Sequence, residues 1–205
     1  IDKDTDTDTD TDTKSSGSSN GTTPESIENT IINGRRFWTH NVEVLREQSD
    51  INYGLLNNND FLEVVGGINN FANGNNGDDH IILRGGKGRY LGGADNDRIE
   101  VFNTAIGSWV NGNFGADLIT GSAGGVTYRG GPGNDIFAVS AGDIWGDKDA
   151  DTFQATAGAE FATIHDFTVG LDRIKGVEGG SFSLTNQGVL YSLGDDQMLL
   201  LKGIN

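Results

Sequence analysis

Apolar residues recur at a regular spacing through the chain between residues 51 and 176. Each of them lies two positions after an aspartate, and successive aspartates are 16 to 21 residues apart. The aspartates are Asp60, Asp79, Asp97, Asp117, Asp135, Asp151 and Asp172. The apolar residues that follow them are Leu62, Ile81, Ile99, Ile119, Phe137, Phe153 and Ile174. This pattern predicts an internal structural repeat of about 18 residues.

A second apolar column lies seven residues before each aspartate. It contains Tyr53, Ala72, Tyr90, Val110, Tyr128 and Ile144, and is interrupted at His165, which has Ile164 beside it. Each repeat therefore contains two short strands, each with an inward-facing residue. A pair of strands this short buries too little apolar surface alone, whereas stacked repeats share a continuous narrow core. The sequence thus predicts an all-β protein, a parallel β-roll or β-solenoid.

The segments on either side of the repeat differ from it in composition. Residues 1–23 alternate aspartate with threonine and then become rich in serine, so no face can be buried, and a disordered linker is predicted. Residues 24–50 are interpreted as an N-terminal cap, and residues 51–176 as the β-roll. Residues 177–205 are apolar without the repeat, and a C-terminal cap of antiparallel strands is predicted there.

The turn before each aspartate is built from residues that tolerate positive φ. Two positions before the aspartate stand Gly77, Asp95, Gly115, Gly133 and Asp149; four positions before it stand Asn75, Gly93, Asn113 and Gly131. Such turns direct backbone carbonyls to one side, and the aspartate is expected to project its carboxylate to that side. Turns stacked about 4.8 Å apart would then form a column of oxygen atoms that repels itself without a cation.

The chemistry of these turns favours Ca²⁺ as the cofactor. Ca²⁺ takes about six to eight oxygen ligands and mixes carboxylates with carbonyls, whereas Mg²⁺ prefers a smaller cage and Zn²⁺ prefers nitrogen or sulfur. We predict one row of about four to six ions. The ligands are the seven aspartates of the repeat together with the turn residues named above, two and four positions before them, and the degenerate turn at Asp60 is the weakest candidate. A second row is not predicted, because Gly88 stands where an aspartate would be needed in the opposite turn. The alternative is an ordinary Asx-turn, in which each aspartate binds its own backbone.

The turns resemble a known repeat. Gly74-Asn75-Asn76-Gly77-Asp78-Asp79-His80-Ile81-Ile82 and Gly130-Gly131-Pro132-Gly133-Asn134-Asp135-Ile136-Phe137-Ala138 are similar to the nonapeptide of the RTX family. The resemblance covers roughly residues 55–176. It implies a parallel β-roll that binds Ca²⁺, export by a type I exporter, and folding on contact with extracellular Ca²⁺. The chain departs from the family because only one turn of each coil carries the nonapeptide.

Composition narrows the classes of partner. Lys and Arg number 14 against 30 Asp and Glu, which gives a formal net charge of −16. This charge disfavours nucleic acid and anionic membrane surfaces as partners. There is no cysteine, so disulfides and thiolate metal sites are excluded. No apolar stretch is long enough to span a bilayer.

The sequence favours a structural role over an enzymatic one. It contains no HExxH and no G-x-S-x-G motif, and His165-Asp166 lacks a partner nucleophile. His80 is expected to lie in solvent. We therefore predict a calcium-binding module of a secreted or cell-surface bacterial protein, with a structural, adhesive or secretion role. Candidate partners are a cell-surface polysaccharide or other surface proteins. The alternative is an accessory or catalytic β-solenoid of a carbohydrate-active enzyme; ice binding is disfavoured because the outward turn positions carry no regular threonine array.

Overall fold

The structure is a computed structural model that describes residues 30–32, 35–37, 42–47, 49–55 and 57–204, with side chains from Arg46 onward. All regular secondary structure in these residues is β-strand, and the predicted all-β class is confirmed. The predicted linker, residues 1–23, and much of the predicted N-terminal cap lie outside the described residues. The described chain contains no helix with the length and apolar character needed to cross a membrane.

Two sheets form the solenoid, and the chain passes from one to the other in every coil. The first sheet has eight strands, all parallel: β3 (Val42–Arg46), β5 (Phe61–Val65), β7 (His80–Leu83), β9 (Arg98–Val101), β11 (Leu118–Gly121), β13 (Ile136–Val139), β15 (Thr152–Gln154) and β17 (Arg173–Lys175). Successive coils contain about 19 residues, close to the predicted repeat. A separate antiparallel hairpin joins β1 (Thr30–Ile32) and β2 (Arg35–Phe37).

The second sheet has ten strands and contains both parallel and antiparallel pairs. Its parallel strands are β4 (Asn52–Gly54), β6 (Ile68–Asn73), β8 (Lys87–Ala94), β10 (Trp109–Phe114), β12 (Thr127–Pro132), β14 (Gly142–Lys148), β16 (Ala162–Ile164) and β20 (Asp196–Lys202). Two antiparallel strands follow β20 at the edge: β19 (Gly188–Leu193) and β18 (Ser181–Leu184).

The core is the narrow space between the two sheets, filled by the two apolar columns. Leu62, Ile81, Ile99, Ile119 and Phe153 are fully buried on the first sheet. From the second sheet come Ala72, Tyr90, Val110, Tyr128 and Ile144. Each residue sits over its counterpart in the next coil, because the parallel register pairs equivalent positions. The core is thus a stack of layers, as predicted.

The structure explains the exception at His165. Ile164 pairs in register with Ile144 and is fully buried, so Ile164 takes the inward position. His165 faces outward and stacks on Trp145, with ring centroids 4.1 Å apart. The longer interval between Asp151 and Asp172 shifts the column by one residue in this coil.

The two ends of the solenoid also differ from a simple cap. Strand β3 lies before residue 51, so parallel pairing begins inside the segment interpreted as the N-terminal cap. At the C-terminal end, β20 pairs parallel with β16, and the antiparallel strands β19 and β18 extend the second sheet beyond β20. The antiparallel strands therefore cover the edge of one sheet, and β18 becomes its new edge.

The prediction that His80 lies in solvent is wrong. Its ring is buried, with 1% of the residue exposed, on the outer side of the first sheet. The ring packs edge-on against Phe61, and Nε2 lies 2.8 Å from Oε1 of Glu100. Both contacts come from the neighbouring strands, so the sequence of the turn that contains His80 could not reveal them.

Candidate metal centre

A ladder of buried aspartates runs along one edge of the solenoid. The carboxylate of each aspartate accepts a hydrogen bond from the backbone N–H of the aspartate one coil earlier. The ladder joins Asp60, Asp79, Asp97, Asp117, Asp135, Asp151 and Asp172, with N–H to Oδ1 distances from 2.7 to 3.0 Å. All members except Asp172, which is half-buried, have at most 2% of the residue exposed. The recurrent spacing in the sequence therefore places seven carboxyl groups in one column, six of them buried.

These hydrogen bonds join different coils. The donor and the acceptor are 16 to 21 residues apart, so the ladder is distinct from the Asx-turn considered as an alternative. Asp172 is the local exception, because its Oδ2 also accepts from the N–H of Thr168 at 2.7 Å. The remaining carboxylates couple neighbouring coils directly.

The turns before the five central aspartates, Asp79, Asp97, Asp117, Asp135 and Asp151, have the left-handed backbone that the sequence predicts, whereas the described residues of the turn before Asp60 do not. Asn75, Asn113 and Asp95 have φ of 72°, 72° and 76°, and Asp149 has φ of 75°. Backbone carbonyls of one turn point at the next. A Cβ added to Gly93 would lie 2.2 Å from the Asn75 carbonyl oxygen. A side chain in place of Gly93 would therefore collide with the preceding coil.

The same close approach recurs at the other predicted glycines. A Cβ on Gly131 would lie 2.1 Å from the carbonyl oxygen of Asn113, and one on Gly115 would lie 1.8 Å from that of Asp95. Gly133 and Gly77 face carbonyl oxygens of the preceding coil in the same way. The turns thus stack carbonyl groups along the edge that also carries the aspartates.

The second carboxylate oxygen of Asp79, Asp97 and Asp135 lies beside a backbone carbonyl oxygen of the next coil. A Cβ on Gly74 would lie 2.1 Å from Oδ2 of Asp79 and 2.0 Å from the Gly92 carbonyl oxygen, which places these two oxygens around one point. Gly130 has the same surroundings, with Oδ2 of Asp135 at 2.0 Å and the Gly146 carbonyl oxygen at 2.7 Å. A carboxylate oxygen and a backbone carbonyl oxygen from successive coils thus approach the same small space.

No donor within the described residues reaches several of these oxygens. Oδ2 of Asp79, of Asp117 and of Asp135 are buried without a hydrogen-bond partner. Burying a carboxylate oxygen without a donor or a cation is costly, because the charge loses its hydration. The position therefore requires either a proton on the carboxyl group or a cation between the oxygens.

The electrostatics of the ladder lead to the same requirement. Burial is the main cause that raises the pKa of Asp79 to about 9; the backbone hydrogen bond of Asp60 lowers this pKa, and the neighbouring carboxylates of Asp97 and Asp60 raise it. Burial is also the main cause that raises the pKa of Asp117 to about 6, of Asp135 to about 7 and of Asp151 to about 8. Stacked carboxylates cannot all be ionised cheaply without compensation.

The donor set fits Ca²⁺ when backbone carbonyls are counted as ligands. No group of three or more His, Asp or Glu side chains in the described part of the chain could hold a metal ion by itself. Ca²⁺ accepts carbonyl oxygens beside carboxylates, so one or two aspartates between stacked carbonyls suit its chemistry. A site of this kind would be shared between consecutive turns.

Two predicted ligand aspartates are placed differently from the others. The side chains of Asp95 and Asp149 are exposed rather than directed into the ladder. Oδ2 of Asp95 accepts a hydrogen bond of 3.1 Å from the N–H of Gly77. Asp95 and Asp149 therefore resemble the glycines at the equivalent positions of other turns, which could contribute only backbone oxygens to a metal site.

Sequence reasoning overlooked two sets of residues at this edge. The first is the glycine five positions before each of the five central aspartates: Gly74, Gly92, Gly112, Gly130 and Gly146, each of which leaves space for Oδ2 of its aspartate. Its recurrence in these five turns was the available signal. The second is Asp166, whose carboxylate accepts from the N–H groups of Gly146 and Asp147, both at 2.9 Å. Asp166 belongs to neither apolar column nor to the aspartate series of the repeat, and sequence reasoning considered it only beside His165 as a possible catalytic pair.

Comparisons with family models, with curated proteins and with solved structures gave no match. The resemblance to the RTX family therefore remains a hypothesis based on the turn sequences and on the geometry described above.

Adding a methyl group at Gly130 should destabilise the ladder. The added Cβ would overlap Oδ2 of Asp135, so the turn or the carboxylate must move. We expect Gly130→Ala to lower the free energy of unfolding by about 1–3 kcal/mol, measured by urea denaturation in calcium. Gly54→Ala is the matched control, because its nearest contact is 3.4 Å away and its φ is not positive. Equal unfolding midpoints for the two variants would contradict the geometry.

Proposed function

We propose that this chain is a calcium-binding β-roll module of a secreted or cell-surface protein. One observation carries the proposal: Oδ2 of Asp79 and Oδ2 of Asp135 are buried beside backbone carbonyl oxygens, and no hydrogen-bond donor among the described residues reaches either of them. A row of Ca²⁺ ions along this edge would neutralise the column and join successive turns. The similarity of the turns to the RTX nonapeptide supports the same ion.

The proposed role is structural, adhesive or secretion-related, and no catalytic step is assigned to the chain. Calcium modules outside the cell bind at about 10⁻⁴–10⁻³ M, which is far above cytosolic calcium. A chain of net charge −16 whose fold depends on such sites would fold mainly where calcium is abundant. The RTX resemblance agrees with this, because it implies export before folding.

The ion count is the direct test of the proposal. Native mass spectrometry in a volatile buffer with calcium should show about four to six bound ions, one for each gap between adjacent ligand turns. Asp117→Asn should lower the count, since it weakens the two gaps on either side of that turn. Asp195→Asn is the matched control, because Asp195 is exposed in the C-terminal hairpin away from the ladder. A folded protein that carries no calcium would refute the proposal and leave protonated aspartates as the alternative.

A further inference from the structure

The outer face of the second sheet carries a group of stacked rings and guanidinium groups that the metal ladder does not use. The guanidinium carbon of Arg89 lies 4.3 Å from the ring centroid of Trp109. Farther along the sheet, Trp145 stacks on His165 with the ring planes 8° apart. Arg129 approaches the ring of Trp145 at 5.8 Å.

These aromatic residues are not part of the core. Strand alternation places Val110, Tyr128 and Ile144 inside, so their neighbours Trp109 and Trp145 must face outward. Both tryptophans are half-buried. A large aromatic ring on the outer side of a sheet adds little to the core, and it is the kind of residue that makes contact surfaces.

A pocket of about 440 Å³ opens on this face. Its walls include Trp109, Asn111, Arg129, Asp147, Lys148 and Asp166. The volume falls within the range typical of small-molecule sites, roughly 300–1,000 Å³. One wall is therefore an aromatic ring, and the others present amide, guanidinium, ammonium and carboxylate groups.

The polar groups of the pocket are held in place by other parts of the structure. Arg129 makes two hydrogen bonds with Asp147, one of them from Nε to Oδ2 at 2.8 Å. Asp166 is fixed by the two backbone N–H groups of the turn beside it. The side-chain oxygen of Asn111 accepts from the N–H of Asn113 at 3.1 Å. Groups that are ordered before binding lose less entropy when a ligand arrives.

The charge of the pocket indicates the class of ligand. Two cationic residues, Arg129 and Lys148, balance two anionic residues, Asp147 and Asp166. The pocket is thus close to neutral on a strongly acidic protein, which disfavours a charged occupant. A neutral ligand with one apolar face and many hydroxyl groups would use the ring and the polar walls together.

We propose that this pocket binds a neutral saccharide unit of a polysaccharide. The C–H face of the sugar ring would stack on Trp109, and its hydroxyl groups would exchange hydrogen bonds with Arg129, Asp147 and Asn111. The pocket lies on the outer face of the second sheet and none of the ladder aspartates lines it, although Gly131, one of the predicted ligand positions, forms part of one wall. The proposal concerns this face only and goes beyond the calcium-dependent fold.

Saccharide binding can be measured by titration calorimetry in millimolar calcium. The probes are neutral hexasaccharides of glucose, mannose and N-acetylglucosamine, together with an alginate hexasaccharide as the anionic comparison. We expect at least one neutral probe to bind and the anionic probe not to bind. Trp109→Ala should weaken the binding by about tenfold or more, because it removes the stacking surface.

Phe114→Ala is the matched control. Phe114 lies on the same strand, is 64% exposed and is not part of the pocket, so its replacement should leave the affinity unchanged. Circular dichroism of each variant in calcium separates loss of the pocket from loss of the fold. Failure of every neutral probe to bind the folded protein, preference for alginate, or equal affinity of Trp109→Ala and the parent chain would each overturn the proposal.

Discussion

Chelation of calcium at neutral pH should abolish most of the ordered structure of this protein. Each Ca²⁺ ion that binds only the folded chain stabilises it by about 1.4 kcal/mol when its concentration is tenfold above Kd. With about four to six such sites, the sum is comparable to the whole stability of an ordinary domain, roughly 5–15 kcal/mol. Far-UV circular dichroism in EGTA should therefore show loss of the β-sheet spectrum.

Readdition of calcium should restore the spectrum over a steep range of concentration, because neighbouring ions share ligand turns. Magnesium at the same concentration is the control and should restore little, since its smaller coordination shell does not match stacked carbonyls. An identical spectrum and an identical thermal midpoint with EGTA and with calcium would show that the aspartate column needs no ion.

Acid should stabilise the calcium-free protein. The carboxyl groups of Asp79, Asp117, Asp135 and Asp151 have pKa values raised to about 9, 6, 7 and 8. The same groups have a pKa near 3.9 in an unfolded chain, so at intermediate pH the folded state retains protons that the unfolded state has lost. The free energy of unfolding should therefore fall as the pH rises from about 4 to about 9. Far-UV circular dichroism of the calcium-free protein at pH 5 and at pH 8 measures the difference, and the β-sheet signal should be larger at pH 5.

Surface repulsion would give the same sign, because the chain carries a net charge of −16. Salt separates the two causes. At about 1 M salt the screening length is about 3 Å, which removes most repulsion between exposed charges but acts weakly on buried ones. The difference between pH 5 and pH 8 should persist in that salt and should disappear in calcium. A calcium-free protein that becomes more stable at pH 8 would contradict the assignment of protons to the ladder.

The architecture could be predicted because the repeat puts the same residue type at the same place in every coil. Ile81, Ile99 and Ile119 are two positions after an aspartate, and all three are buried in one column of the core. A parallel register with aligned coils follows from that periodicity. The positive φ of Asn75 and Gly93 could likewise be predicted from the residue types that tolerate it.

The hydrogen bonds of the aspartate side chains could not be predicted in the same way. Sequence reasoning placed the carboxylates on the same side of the turn as the carbonyls, but it did not predict that the carboxylates of Asp97 and Asp117 are buried and accept hydrogen bonds from backbone N–H groups of the preceding coil. Those bonds depend on which backbone N–H groups remain without a partner after the coils stack. The hydrogen-bond partners of Asp166 and His165 lie about 20 residues away in the sequence, so one period of the repeat does not reveal these contacts.

The aspartate ladder gives the solenoid a direction. Each backbone amide in the ladder receives its acceptor from the coil that follows it in sequence, as Asp135 does from Asp151. Truncation from the N-terminal side would leave every remaining amide with its acceptor. Truncation from the C-terminal side would instead strip the acceptor from the new last coil, so the two ends of the molecule are not interchangeable.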